Sequence, residues 1–273
     1  MSNTSLAAAA NIRKEITTLA ATSAIAHFEW TDDNENQDPA PQAYIKGMAL
    51  SYARVYCKFK SGHPAALEMA RAKSGHAGAD TDAFAYLAGM YAQQGLNNDV
   101  AGIDCLRNLF VLLFGLGVDE SSGRYCKGRY LKDGFNQQDN AEAGMFQSAF
   151  NLTHPPAGHP NPSYGAVLLN LFNHYEANPT TGFAEVFRTG ITCNANDAIN
   201  WGQENTPGWR YQQLAKTCPA FAVEFTGVAL RNRPRHWAPI RDRYVEIVPV
   251  CRELLIGIEG LVDRPPGFCA QVL

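Results

Sequence analysis

A mainly α fold is predicted, and three observations predict it. Apolar residues recur at helical spacing in most segments long enough to show a period. No sustained two-residue alternation bounded by hairpin signals occurs, so any strands are short and confined to 119–150. Of the 273 residues, 46% are hydrophobic and 18% charged, which supplies a packed core and excludes a disordered chain.

From the amino end, residues 6–29 set Ile12, Ile16, Leu19 and Ile25 among alanines and polar residues, the pattern of one or two amphipathic helices. The acidic stretch 31–41 (TDDNENQDPAP) reads as a solvated linker or as a surface loop within one domain. Residues 42–59 are helical, a Gly-, His- and Pro-punctuated loop follows at 61–64, then a short helix through Lys73 and a second loop at 74–80. The clearest helices are 81–94 and 100–118, the second carrying Ile103, Leu106, Phe110, Leu113 and Phe114 at core spacing. A loop-rich stretch, 119–162, ends in the turn-dense THPPAGHPNP. Helices are then expected within 166–175, 182–188, 197–200, 211–218, 221–232 and 245–262. The organisation expected is a helical N-terminal region, 1–79, that completes or shields a second domain, 80–273.

Composition excludes several function classes. A net charge of −3 and a pI near 6.2 do not fit a protein whose main work is neutralising nucleic-acid phosphates, so no nucleic-acid partner is expected. The longest apolar run, 109–118, is about half of the roughly 20 residues a membrane-spanning helix needs, so no membrane insertion is expected. Arg13, Lys14 and Glu15 interrupt the Ala-rich start, and no ordinary signal peptide is visible. Seven cysteines include no C-x-x-C pair, and His154, His159 and His174 show no paired ligand spacing, so no metal is expected. Phosphate-cradling and dinucleotide fingerprints are missing too, so no cofactor is expected. A Cys/His hydrolase would draw on Cys126 and His236, but nothing near Cys126 marks it as a thiolate.

Chemistry is indicated at the end of the apolar helix. Glu120 follows directly on a core run, and Ser121, Ser122 and Gly123 then open a loop, which turns the carboxyl toward a cleft. An apolar boundary disfavours the charged form, as a general acid working near neutral pH requires. In the second element, Ala143-Gly144-Met145-Phe146-Gln147-Ser148, Gly144 permits close backbone approach and Gln147 carries an amide suited to hydroxyl or acetamido groups. A basic, aromatic stretch, RNRPRHWAPIRDR, sets Arg231, Arg233, Arg235, Arg241 and Arg243 around His236 and Trp237. It could hold an anionic polymer, such as the peptide carboxylates of a cell wall, or cover a helix boundary by pairing with Asp242, Glu246 and Glu253.

Glu120-Ser121-Ser122-Gly123 followed by Ala143 to Ser148 resembles the motif pair of goose-type lysozymes and lytic transglycosylases in the lysozyme-like superfamily, over about residues 101–151. That resemblance implies a lysozyme-like helical domain with a loop-rich or short β segment after the catalytic helix. It also implies cleavage of a β-1,4-linked, N-acetylated cell-wall glycan, peptidoglycan, with Glu120 as the general acid. Asp133, Asp139 and Glu142, between the motifs, are candidates for a second carboxylate. Ser121, Arg124, Tyr125, Phe146, Gln147, Phe150 and Asn151 become candidate sugar contacts, Tyr125, Phe146 and Phe150 as walls against sugar faces. The family's Tyr-Asn-Ala-Gly stretch has its best counterpart in Val228-Ala-Leu-Arg231-Asn232, which keeps the Asn and has Arg for Tyr; Arg231 and Asn232 therefore join the candidates. The departure admits a catalytically silent carbohydrate-binding or toxin-like interaction protein as the alternative, and chitin or chitosan as alternative glycans. A wall substrate implies action in the periplasm or outside the cell, with a secretion apparatus or an inhibitor protein as further partners. In an oxidising space some of Cys126, Cys193, Cys218 and Cys251 are then expected to pair.

Overall fold

The computed structural model describes residues 3–31, 37–75, 78–129, 138–178, 183–264 and 269. The first helix, α1 (Asn3–Thr22), buries Ile12, Ile16 and Ala20 against α2 (Gln42–Lys60). Between them, β1 (Glu29–Thr31) and β2 (Gln37–Pro39) pair antiparallel with Trp30 opposite Asp38. β2 lies in the stretch read as a linker or loop and β1 at its start, at the end of the span read as helical; neither falls within 119–150, where the described residues show only an isolated Ala143–Ser148 bridge. Three residues are too few to display an alternation; long-range contacts hold the hairpin instead. Trp30 is buried, and Thr31 donates from both its N–H and its hydroxyl to Glu246, each at 3.2 Å.

Next come α3 (Pro64–Met69), α4 (Ala83–Tyr86) and α5 (Ala88–Gln93), the last two separated at Leu87 where a single helix over 81–94 was expected. The centre is α6 (Ile103–Ser121), in which Leu106, Leu109, Phe110, Leu112, Leu113 and Phe114 have no exposed surface. A helix apolar on every side must be enclosed on every side, and each such side chain contributes roughly 1.5–3 kcal/mol by burial. Around and after it run α7 (Tyr164–Ala177), α8 (Ala184–Phe187), α9 (Ala195–Ala198), α10 (Pro207–Thr217), α11 (Pro219–Leu230), α12 (Ala238–Arg241) and α13 (Cys251–Asp263). Every residue of α11 is buried, against α2, α3, α6, α7 and α10. α1 and α2 also pack on α13, so residues from 1–79 and from 80–273 share one core.

Two close approaches fix where α6 sits. A side chain at Gly117 would collide with the Tyr44 hydroxyl, and one at Gly115 with the Glu246 carbonyl. Tyr44 uses that proximity to hydrogen-bond the carbonyls of Leu113 and Phe114 at 3.0 and 2.9 Å. A buried ion pair, Lys58 Nζ to Glu224 at 2.6 Å, ties α2 to α11, and the Tyr175 hydroxyl of α7 donates to the same carboxylate at 2.6 Å. Burial lowers the Lys58 pKa against the pull of Glu224.

Two disulfides are present, Cys126–Cys193 and Cys57–Cys269. The first joins two of the cysteines expected to pair; Cys218 and Cys251 are free thiols in the core, with burial pushing Cys218 up to about 11. Among the described residues no helix is long and apolar enough to cross a membrane.

Candidate functional site

The carboxyl-terminal turn of α6 carries Asp119 and Glu120, both partly exposed, straight out of the buried run. The helix stops there because Ser122 and Gly123 adopt left-handed backbone (φ 52° and 70°), and their N–H groups reach back to Val118 and Gly117 at 2.7 and 3.0 Å. At Gly123 a Cβ would stand 2.9 Å from the Tyr44 ring, so glycine is required for space as well as for φ. Ser121 turns inward, its hydroxyl donating to the Gly117 carbonyl at 2.9 Å.

The residues after Glu120 form a strap pinned at several points. Cys126 is bonded to Cys193, and Asp197 accepts from the Gly128 N–H at 2.9 Å while its carboxylate lies 3.5 Å from Arg124. Asp197 is itself held in the capping box that starts α9. The second motif docks on this strap: Gly144 N–H donates to the Lys127 carbonyl at 2.9 Å, and Gln147 Nε2 approaches the same oxygen at 3.5 Å. Thus the second stretch docks on the strap at Lys127, four residues past Gly123. We expect Cys193→Ser to cost about 2–4 kcal/mol, because the bridge restrains a long loop of the unfolded chain. Thermal melting with and without reductant measures it.

The turn at 143–148 is unusual backbone. Gly144 and Gln147 both have positive φ (76° and 45°), and a Cβ on Gly144 would lie 2.7 Å from the Ala215 carbonyl. A non-glycine residue held in the left-handed region costs free energy and persists where surrounding contacts impose it. Those contacts are visible: Trp237 Nε1 donates to the Phe146 carbonyl at 2.6 Å, the Tyr211 hydroxyl to Ser148 at 2.7 Å, and Gln147 Nε2 to the Gly144 carbonyl at 2.9 Å.

Glu142 begins this turn, partly exposed, with its Oε1 3.6 Å from His236 Nε2. The same nitrogen hydrogen-bonds the Gln147 carbonyl at 3.3 Å, which a neutral ring protonated at Nε2 satisfies. Burial lowers the His236 pKa to about 4, with Arg233 adding to the shift and the Gln147 bond opposing it. Because an unfolded histidine titrates near 6.5, its stability contribution is complete above that pH and is lost as the pH falls toward 4. The loss reaches about 3 kcal/mol, tempered by the adjoining Glu142 carboxylate. Urea unfolding of wild type and His236→Gln between pH 7 and 4 is expected to show that slope in the wild type and a flatter one in the variant.

Other expected site residues are placed differently. Asp139 is set against Gly208 in the first turn of α10, where a carboxylate complements the helix dipole. Asn151 donates to Asn140 at 2.9 Å. Phe146 is fully buried and Phe150 nearly so, stacked edge-on against Phe172, so as folded these rings offer no face to a sugar. Tyr125 is likewise buried, under the Arg188 guanidinium. Arg231 has no exposed surface and is paired with Asp82 at 2.7 Å; Asn232 is buried beside it on Glu68 and Val228. They act within the core rather than toward a ligand. Asp133 lies outside the described residues.

His236, Trp237 and Asp197 were missing from the sequence-based site. The Arg-His-Trp run was visible as a basic, aromatic patch, but its contact with residues 142–147 spans about ninety positions and leaves no local signal. No cluster of three or more metal-binding side chains occurs among the described residues. Compared with protein-family models, curated proteins and solved structures, the chain matches none of them.

Proposed function

We propose that the protein cleaves a β-1,4-linked, N-acetylated cell-wall glycan on a lysozyme-like scaffold, with Glu120 as the general acid. The observation that carries this reading is the docking of the second motif on the strap that leaves the first, next in the chain after a carboxyl delivered from the end of a buried helix. Glu120 gives its proton to the glycosidic oxygen as the bond from that oxygen to C1 breaks. Ser122, Gly123 and the pinned strap hold the helix end, and the buried 143–148 turn backs the strap through Lys127.

Hydrolysis requires a second carboxylate, and the candidate is Glu142, partly exposed just before the 143–148 turn. At roughly 5–5.5 Å from Glu120 it would act as a nucleophile, and at roughly 6.5–9.5 Å as the base for a water. Without a second carboxylate, the substrate's own 6-hydroxyl attacks C1, gives its proton to the Glu120 carboxylate and leaves an anhydro-sugar end. Mass spectrometry of fragments released from purified peptidoglycan tests the reading, since reducing ends carry an added water and anhydro ends do not. Intact walls that still sediment the protein would replace it with the carbohydrate-binding alternative, which the burial of Arg231 and Asn232 at the family's Tyr-Asn position favours.

A further inference from the structure

Beside His236 opens a cavity of about 410 Å³ whose chemistry the cleavage reaction does not use. Arg233, Arg235 and Arg241 line it with His159 and His236, against one carboxylate, Asp80. Counting Asp242 beside Arg241, three guanidiniums face two carboxylates, an excess of one positive charge in a chain that is net negative at −3. Such local segregation of charge is costly in self-repulsion unless an anion shares the space.

The three arginines are available in different ways. Arg235 meets Asp80 at 3.3 Å and Arg241 meets Asp242 at 2.7 Å, and all four side chains are about half exposed. Exposed pairs of this kind hold so weakly that an incoming carboxylate competes for the guanidinium. Arg233 is paired with no carboxylate among the described residues. The cavity base is firm: His159 Nε2 hydrogen-bonds the Asn232 carbonyl at 2.9 Å, and the Asn232 amide is held by Val228, Glu68 and Asn161. His236 is the shared wall, lining the cavity while its Nε2 holds the Gln147 carbonyl beside Glu142.

We propose that this cavity is a subsite for a carboxylate borne on a peptide side arm of the glycan, bound while the sugar backbone lies beside the partly exposed Glu142. The proposal rests on the glycan reading above. A charged arm seated one side chain away from Glu142 and Gln147 sets the register of the chain at the cleavage point and excludes neutral homopolymers.

Calorimetric titration of the full-length protein with soluble disaccharide-peptide wall fragments, their carboxyl groups free or amidated, tests it. Free-carboxyl fragments are expected to bind at least tenfold more tightly, with the preference shrinking as salt rises. In the double variant Arg233→Gln, Arg235→Gln it should fall to within twofold while the amidated fragments bind as before. If that variant does not fold, judged by its melting curve, the exposed single variant Arg241→Gln should still lose the preference severalfold. Equal affinity for both fragments in the wild type, a preference that survives the substitutions, or equally tight binding of a single-stranded oligonucleotide would overturn the proposal. Walls left uncut by a protein that keeps the preference would refute the cleavage reading and spare the subsite; walls cut without any preference would do the reverse.

Discussion

Arg231→Met is expected to destabilise the protein by about 3–5 kcal/mol, the usual cost of stranding a buried charge. The guanidinium grips Asp82 through Nε at 2.7 Å and Nη2 at 3.0 Å, with both side chains fully buried. Its remaining hydrogens satisfy the carbonyls of Met69, Arg71 and Ala72, and its plane lies 3.9 Å from the Phe84 ring centre. Met replaces the packing and none of the hydrogen bonds, leaving the buried Asp82 carboxylate without its countercharge and three carbonyls without the guanidinium donors. Asp82 also caps α4 and binds the Ser74 N–H, so the loss spreads to the loop before that helix. Denaturant unfolding at neutral pH measures the cost. A double variant that also carries Asp82→Leu should be less destabilised than the two single losses added together, because the two residues share one network. Arg231→Lys should recover only part of the loss, since one ammonium cannot reproduce the planar fork.

Glu120→Gln is expected to slow glycan cleavage by about 10²- to 10⁴-fold, the range for removing a positioned general acid. The substitution keeps size and hydrogen-bonding shape and removes the transferable proton. Because Glu120 is partly exposed at a helix terminus, the melting temperature should change little, and fragment binding should persist. Glu142→Gln separates the two chemical routes: a comparable loss marks a hydrolase that needs both carboxylates, and a small change marks attack by the substrate's own hydroxyl.

Much of the helical framework was legible because long amphipathic or wholly apolar segments announce themselves. α2, α6 and α11 fall close to their expected spans, α6 running three residues further to take Glu120 into its last turn, while α13 starts at Cys251, six residues later than expected. What was hidden depends on contacts between distant residues. The β1–β2 hairpin is too short to show a period and is held by Glu246. The break at Leu87 splits a run that reads as one continuous helix. The glycines at 115 and 117 look like weak points in a helix, and their reason is Tyr44 and Glu246 arriving from elsewhere.

The basic patch shows the same division within thirteen residues. Arg231 and Trp237 go inward, to Asp82 and to the Phe146 carbonyl, while Arg233, Arg235 and Arg241 turn to the cavity. Composition alone gives all of these side chains one character. Which of them is core and which is surface is decided by the turn at Pro234 and by the neighbours it brings, so the cavity-facing set differs from the one read off the motif.

The most direct test is the clearance of a suspension of purified peptidoglycan by wild type and Glu120→Gln, compared at equal concentration after matching their melting curves. The expected result is loss of turbidity and release of soluble glycan fragments by the wild type, with the variant at least a hundredfold slower. Clearance by the variant at the wild-type rate would contradict Glu120 as the acid, and a wild type that releases no glycan would contradict the activity itself.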